Sequence, residues 1–170
     1  MSNLDLEICY LSASEAIEKF KNKSLSPVEL LTETIKRIEE VNPKINAFNF
    51  FRFEDALEEA KNSELKYTKN ESSKPLEGIP LAIKDEVNIT GQPNKNGSLI
   101  FKDTIAESTD IDVESLVNSG AILHARTTNP EFSLTSFCHS KVNGVTRNPW
   151  NFEMTPGGSS GGSAAALAAG

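Results

Sequence analysis

The sequence predicts an α/β fold on three observations. An apolar strand-like run, an amphipathic helix and a second apolar run follow one another between residues 76 and 126. Two capping-box patterns open helices near the N-terminus. The chain of 170 residues, 38% hydrophobic and 24% charged, has the composition of a globular protein with enough length to bury a core.

The elements follow in order. Ser12-Ala13-Ser14-Glu15 and Ser26-Pro27-Val28-Glu29 each predict a helix start, the second reinforced by proline at the first helical position. In the second helix Val28, Leu31, Ile35 and Ile38 recur at three- and four-residue steps, and Asn42-Pro43 is expected to stop it. Ile45 to Phe51 reads as extended, Phe53 to Leu65 as a third helix and Lys66 to Lys74 as a polar surface loop. Leu76 to Asp85 is strand-like, opened by Gly and Pro and closed by a lysine and an acid. A loop from Asn88 to Ser98 leads to a helix over Asp110 to Asn118, with Val113, Leu116 and Val117 on one face and Gly120 suited to its C′ position. Ala121 to Arg126 predicts a buried strand, after which Thr127 or Thr128 caps a short helix around Glu131 to Thr135.

Charge and cysteine usage exclude several classes. A net charge of -7 with pI near 4.9 opposes binding of a phosphate backbone, so nucleic acid is not expected as a direct partner. Met1 to Glu7 lacks the basic and apolar regions of a leader, and no stretch approaches the length of a membrane span, so a cytoplasmic location is expected. Cys9 and Cys138 read as reduced thiols. Cys138-His139 with His124 or Cys9 has no recognised ligand spacing, so no metal is expected; no cofactor is expected either.

The chemistry concentrates in Thr155-Pro156-Gly157-Gly158-Ser159-Ser160-Gly161-Gly162-Ser163, followed by the helix-prone run Ala164 to Ala169. Glycine lacks a Cβ and tolerates φ > 0, so such a loop can bring N–H groups and hydroxyls close to a reacting group. Gly158-Ser159-Ser160-Gly161-Gly162 fits the G-x-S-x-G nucleophile elbow, but no Asp, Glu or His follows Ser160, and Met154-Thr155-Pro156 does not read as the strand an elbow requires. The lysine of a phosphate-binding loop is absent as well. Lys84, at the end of an apolar run, has two readings. Its ammonium is partly desolvated and available as a base when neutral, or it is a surface lysine paired with Asp85 or Glu86.

Lys84 and the glycine-serine loop, with the phrases around them, resemble the amidase signature family. The phrases are Ser26-Pro27-Val28-Glu29-Leu30-Leu31, Gly78-Ile79-Pro80-Leu81-Ala82-Ile83-Lys84-Asp85, Thr128-Asn129-Pro130-Glu131-Phe132, Thr146-Arg147-Asn148-Pro149-Trp150 and Pro156 to Ala166, in the family's order. The resemblance implies a mixed β-sheet covered by helices, here as the N-terminal part of the domain, with helices over 12–66 and the start of the α/β core over 76–170. It implies hydrolysis or transfer of small carboxamides by a Ser-cis-Ser-Lys triad, with Lys84 as base and Ser159, preceded by a cis bond, as proton relay. It puts Gly158, Ser160 and Phe137 beside the substrate, although a core role is the favoured reading of Phe137.

The family's nucleophilic serine and oxyanion hole belong to a second glycine-serine motif further along the chain. That motif does not occur in these residues, so the chain is expected to be truncated, inactive alone and prone to self-association through exposed apolar edges. Two other readings remain: the amidase component of a glutamyl-tRNA amidotransferase, and a non-catalytic remnant. Asn129-Pro130-Glu131 favours the stand-alone amidases, because the amidotransferase component typically has Met-Asp between Asn and Glu.

Overall fold

The computed structural model describes the backbone of residues 3–170 and side chains from Leu6 onward, so the first residues of the Met1 to Glu7 stretch lie outside the described residues. Helices α1 (Asn3–Cys9), α2 (Ala13–Lys21) and α3 (Pro27–Ile45) come first, followed by strand β1 (Phe48–Phe51) and helix α4 (Phe53–Thr68). Strand β2 (Pro80–Lys84), helix α5 (Ile111–Asn118) and strand β3 (Ile122–Thr127) come next. The short strands β4 (His139–Ser140) and β5 (Gly144–Val145) and helix α6 (Gly161–Ala169) complete the order.

Both capping boxes form. Ser12 and Ser26 accept the backbone N–H of Glu15 and Glu29, whose carboxylates accept the cap N–H in return. α1 is short and packs on α3.

The sheet has the order β1-β3-β2, with β3 parallel to β2 and antiparallel to β1. It is therefore mixed, and helices cover it. Ile38, Ile45 and Ala165 pack on Phe48 and Ala125, while Leu31, Ala56 and Ala60 pack on Ile122. Ile89 and Val113 cover Leu123 from the loop and α5. β3 is buried along its whole length.

Five local expectations need correction. Pro43 does not stop α3, which continues to Ile45 and ends at Asn46 in the left-handed region. Pro43 and Glu39 are both exposed, so the carbonyl that loses its helical donor faces water. The strand accordingly begins at Phe48 and not at Ile45.

α4 runs to Thr68, through what reads as loop, because Ala56, Ala60, Ser63 and Tyr67 form one buried stripe. Tyr67 lies 5.5 Å from the Phe20 ring and donates to the Glu77 carbonyl. In α5 only Val113 is buried, and Val117 faces outward. Thr127 and Thr128 cap nothing; both are buried, and the short 3₁₀ turn at Glu131–Ser133 follows Pro130 instead.

Candidate active site

β2 ends at Lys84, opposite Thr127 of β3. The Lys84 ammonium donates to Ser159 Oγ at 2.8 Å and pairs with Glu86 Oε1, also at 2.8 Å, with only 12% of its side chain exposed. The two readings of Lys84 therefore coexist: it is desolvated and meets a serine, and it has a carboxylate partner. That partner is Glu86. Asp85 turns inward, buried, and accepts the Gly97 N–H at 3.5 Å. Burial works to raise the Glu86 carboxyl, but hydrogen bonds from Lys84 and Ser133 and the charge of Lys84 outweigh it and hold the carboxyl below its usual value.

Ser159 is held by its glycines. The Gly158–Ser159 peptide bond is cis. A Cβ on Gly158 would meet the backbone of Thr135, Ser136 and Phe137 at 2.6–2.9 Å. One on Gly161 would meet Cys138 Cβ at 2.4 Å, and one on Gly162 would meet Thr128 O at 2.4 Å. The loop thus uses missing Cβ atoms to lie against its own protein, with the Gly162 N–H donating to Thr128 O at 3.2 Å. Of the loop glycines only Gly157, at φ +91, has open space around it.

α6 starts immediately after, and Ser160 occupies its N-cap position, exposed and with no side-chain capping bond. Phe137, 40% exposed, stacks on His139 with centroids 4.5 Å apart, on the wall that Gly158 touches. Gly158 and Ser160 thus flank Ser159, with Phe137 on an adjoining loop.

Several contributors have no role that the sequence assigns, although Thr128, Thr146 and Ser163 lie within the matching phrases. Thr127 and Ser163 hydroxyls lie 2.7 Å apart and tie α6 to β3. Thr128 and Thr146 hydroxyls meet at 2.6 Å beside buried Cys138, and Thr146 donates to Asn46 O. Ser133 supports Glu86. Arg126, fully buried, had a signal in plain view: an arginine in a run that the sequence marks as a buried strand. His124 is buried against Phe48, and burial pushes its imidazole down from 6.5 to about 4.

Among the described residues no cluster of three His, Cys, Asp or Glu side chains is arranged to hold a metal ion. No described helix is long and apolar enough to cross a membrane.

The family described as Amidase matches residues 29–170. One component of the glutamyl-tRNA(Gln) amidotransferase of Methylacidiphilum infernorum is 41% identical over 96% of this chain and 32% of its own length. Indoleacetamide hydrolase of Bradyrhizobium diazoefficiens is 36% identical over 94% of this chain and 30% of its own. Among solved structures, a bacterial aryl acylamidase of the amidase signature family superposes with a TM-score of 0.87 at 29% identity, covering 94% of this chain and 33% of that one. The chain spans about a third of the length of the relatives it matches.

Proposed function

The chain belongs to the amidase family, and on that premise we propose that it carries the base and the proton relay of a Ser-cis-Ser-Lys amide hydrolase. The hydrogen bond between Lys84 Nζ and Ser159 Oγ carries this reading. With Lys84 charged, the ammonium donates and the hydroxyl accepts. Once Nζ has lost one proton, the same 2.8 Å contact runs the other way and the hydroxyl donates to the amine.

Neutral Lys84 then takes the Ser159 proton while Ser159 takes the proton of the nucleophilic hydroxyl, whose oxygen attacks the amide carbon. Collapse of the tetrahedral adduct breaks the C–N bond, and the proton returns through Ser159 to the leaving nitrogen. Water cleaves the acyl-enzyme, releasing the acid. The resemblance assigns the nucleophile and oxyanion hole to a second glycine-serine motif that is not among these 170 residues.

Gly158, Ser160 and Phe137 are the candidate substrate contacts, supported by their positions around Ser159. A small carboxamide is the proposed substrate and the cytoplasm the proposed location, the latter supported by two cysteines that form no disulfide framework. Residues 12–66 and 76–170 are proposed to belong to one domain, supported by the clusters that join α3 and α4 to the sheet.

An acyl-hydroxamate assay on the full-length protein tests the reading. Amide cleavage should be lost in Lys84→Ala and in Ser159→Ala, and activity retained in either would refute the assignment. The second reading, a component of an amidotransferase, is favoured by the 41% identity to the Methylacidiphilum infernorum protein. It predicts that cleavage requires glutamine as the amide and a partner protein.

A further inference from the structure

Arg126 is fully buried, and among the described residues no carboxylate oxygen lies within ion-pairing distance of it. Removing a guanidinium from water is costly unless its donors are satisfied. Here they are satisfied by one segment of chain. Nε donates to Ile83 O at 3.3 Å; Nη1 donates to Pro93 O at 3.3 Å and Gln92 Oε1 at 3.5 Å; Nη2 donates to Lys84 O at 3.1 Å, Asp85 O at 3.2 Å and Val87 O. Burial lowers the guanidinium below its ordinary value while the charges of Asp85 and Asp110 oppose that.

The register of the sheet explains how the side chain reaches these acceptors. Leu81 pairs with Leu123 but Ala82 pairs with Ala125, so His124 is an extra residue in β3. The bulge breaks the simple alternation: Ala125 packs with Ala165 and Ile38, whereas Arg126 joins the side of Leu123, where the loop after β2 runs. The acceptors there are the carbonyls of Ile83 and Lys84 at the end of β2 and those of the loop that follows, Lys84 O being shared with the Val87 N–H.

We propose that Arg126 is the positioning residue of the base: one planar guanidinium binds the carbonyls of Ile83 and Lys84, and so fixes both peptide planes that flank the Lys84 Cα. With the Cα–Cβ direction set, Lys84 keeps only its side-chain torsions, and Ser159 and Glu86 hold the tip. Arginine suits the task because its planar fork spreads five donors over three nitrogens, whereas a lysine ammonium offers three donors from a single nitrogen.

The proposal rests on the amidase reading, and its test separates the two. R126K and R126M are made in the full-length protein and compared with wild type for kcat, KM, melting temperature and acetylation of Lys84 by a water-soluble succinimidyl ester, read by mass spectrometry. Both variants should melt cooperatively, lose kcat by about 100-fold, as expected for a reacting group misplaced by about an ångström, keep KM within about twofold, and acetylate Lys84 severalfold faster. Wild-type kcat in a folded R126K, or unchanged Lys84 acetylation in both variants, overturns the proposal. So does unfolding of both variants, which would make Arg126 a residue of general stability. A wild-type protein that cleaves no amide refutes the amidase reading instead, and Lys84 acetylation still decides the role of Arg126.

Discussion

Gly162→Ala probes how the backbone of α6 sets the site. The new Cβ would lie 2.4 Å from Thr128 O and 2.5 Å from both Thr128 N and Thr128 Oγ1. Ordinary contact needs about 3.5 Å, so the start of α6 must withdraw by about 1 Å. Thr128 follows β3 directly, is buried and is tied to Thr146, so it cannot give way. Ser159 lies three residues before Gly162, and its 2.8 Å contact with Lys84 would stretch out of hydrogen-bond range.

Overpacking of this kind costs about 1–3 kcal/mol, which lowers the melting temperature of a protein about three times this length by about 1 °C for each kcal/mol. Loss of alignment lowers kcat by about 100-fold. Gly120→Ala is the control. Its Cβ would meet Glu77 Cα at 2.8 Å at φ +97, a comparable insult at the opposite end of β3. Melting curves and amide hydrolysis on the full-length protein should show both variants destabilised and only Gly162→Ala impaired in kcat. A Gly162→Ala protein with wild-type kcat, or equal loss in Gly120→Ala, would refute the idea that α6 places Ser159.

Other outcomes follow from buried polar groups and exposed surface. His124 has its value lowered from 6.5 to about 4 by burial, so stability present above pH 6.5 is lost as pH falls toward 4, by about 3 kcal/mol across that window. Because its Nδ1 has no partner among the described residues, His124→Leu should be at least as stable at pH 7 and show a flatter acid limb in denaturant titrations; an unchanged limb would count against the assignment. Glu77 is buried and accepts from Ser63 at 2.6 Å and Lys66 at 2.9 Å. Burial works to raise its carboxyl, yet these hydrogen bonds hold it below 4.5, so the stability it contributes is present above that pH and lost below it. Ser63→Ala should therefore cost about 1–2 kcal/mol at pH 7 in urea melts, with less of the difference remaining at pH 3. The 170-residue chain alone exposes Ile100 at 76%, Ile111 at 83% and Trp150 at 85%. It should associate in sedimentation experiments, and a cooperatively melting monomer would contradict that.

The mixed sheet under helices was legible where signals are local. Ser12 and Ser26 announce their helices because a cap needs only a hydroxyl and a carboxylate three residues apart. β3 announces itself as an apolar run because both its faces are covered. Lys84 and Ser159 stood out through the resemblance, since the phrases around them are short and contiguous. Pro43 misled because its missing N–H matters only where the opposing carbonyl is buried, and Tyr67 hid the end of α4 because its partner Glu77 lies outside the helix.

By itself, then, the sequence determined the starts of α2 and α3, the buried strand, the family and the candidates for base and relay, all properties of neighbouring residues. Only the tertiary structure decided that Glu86 and not Asp85 pairs with Lys84. Only it decided that the loop glycines lie against Thr128 and Cys138, and that a bulge at His124 aims Arg126 at the carbonyls around Lys84. Those contacts join residues tens of positions apart, and their geometry depends on sheet register and helix approach, neither of which any short stretch of chain encodes.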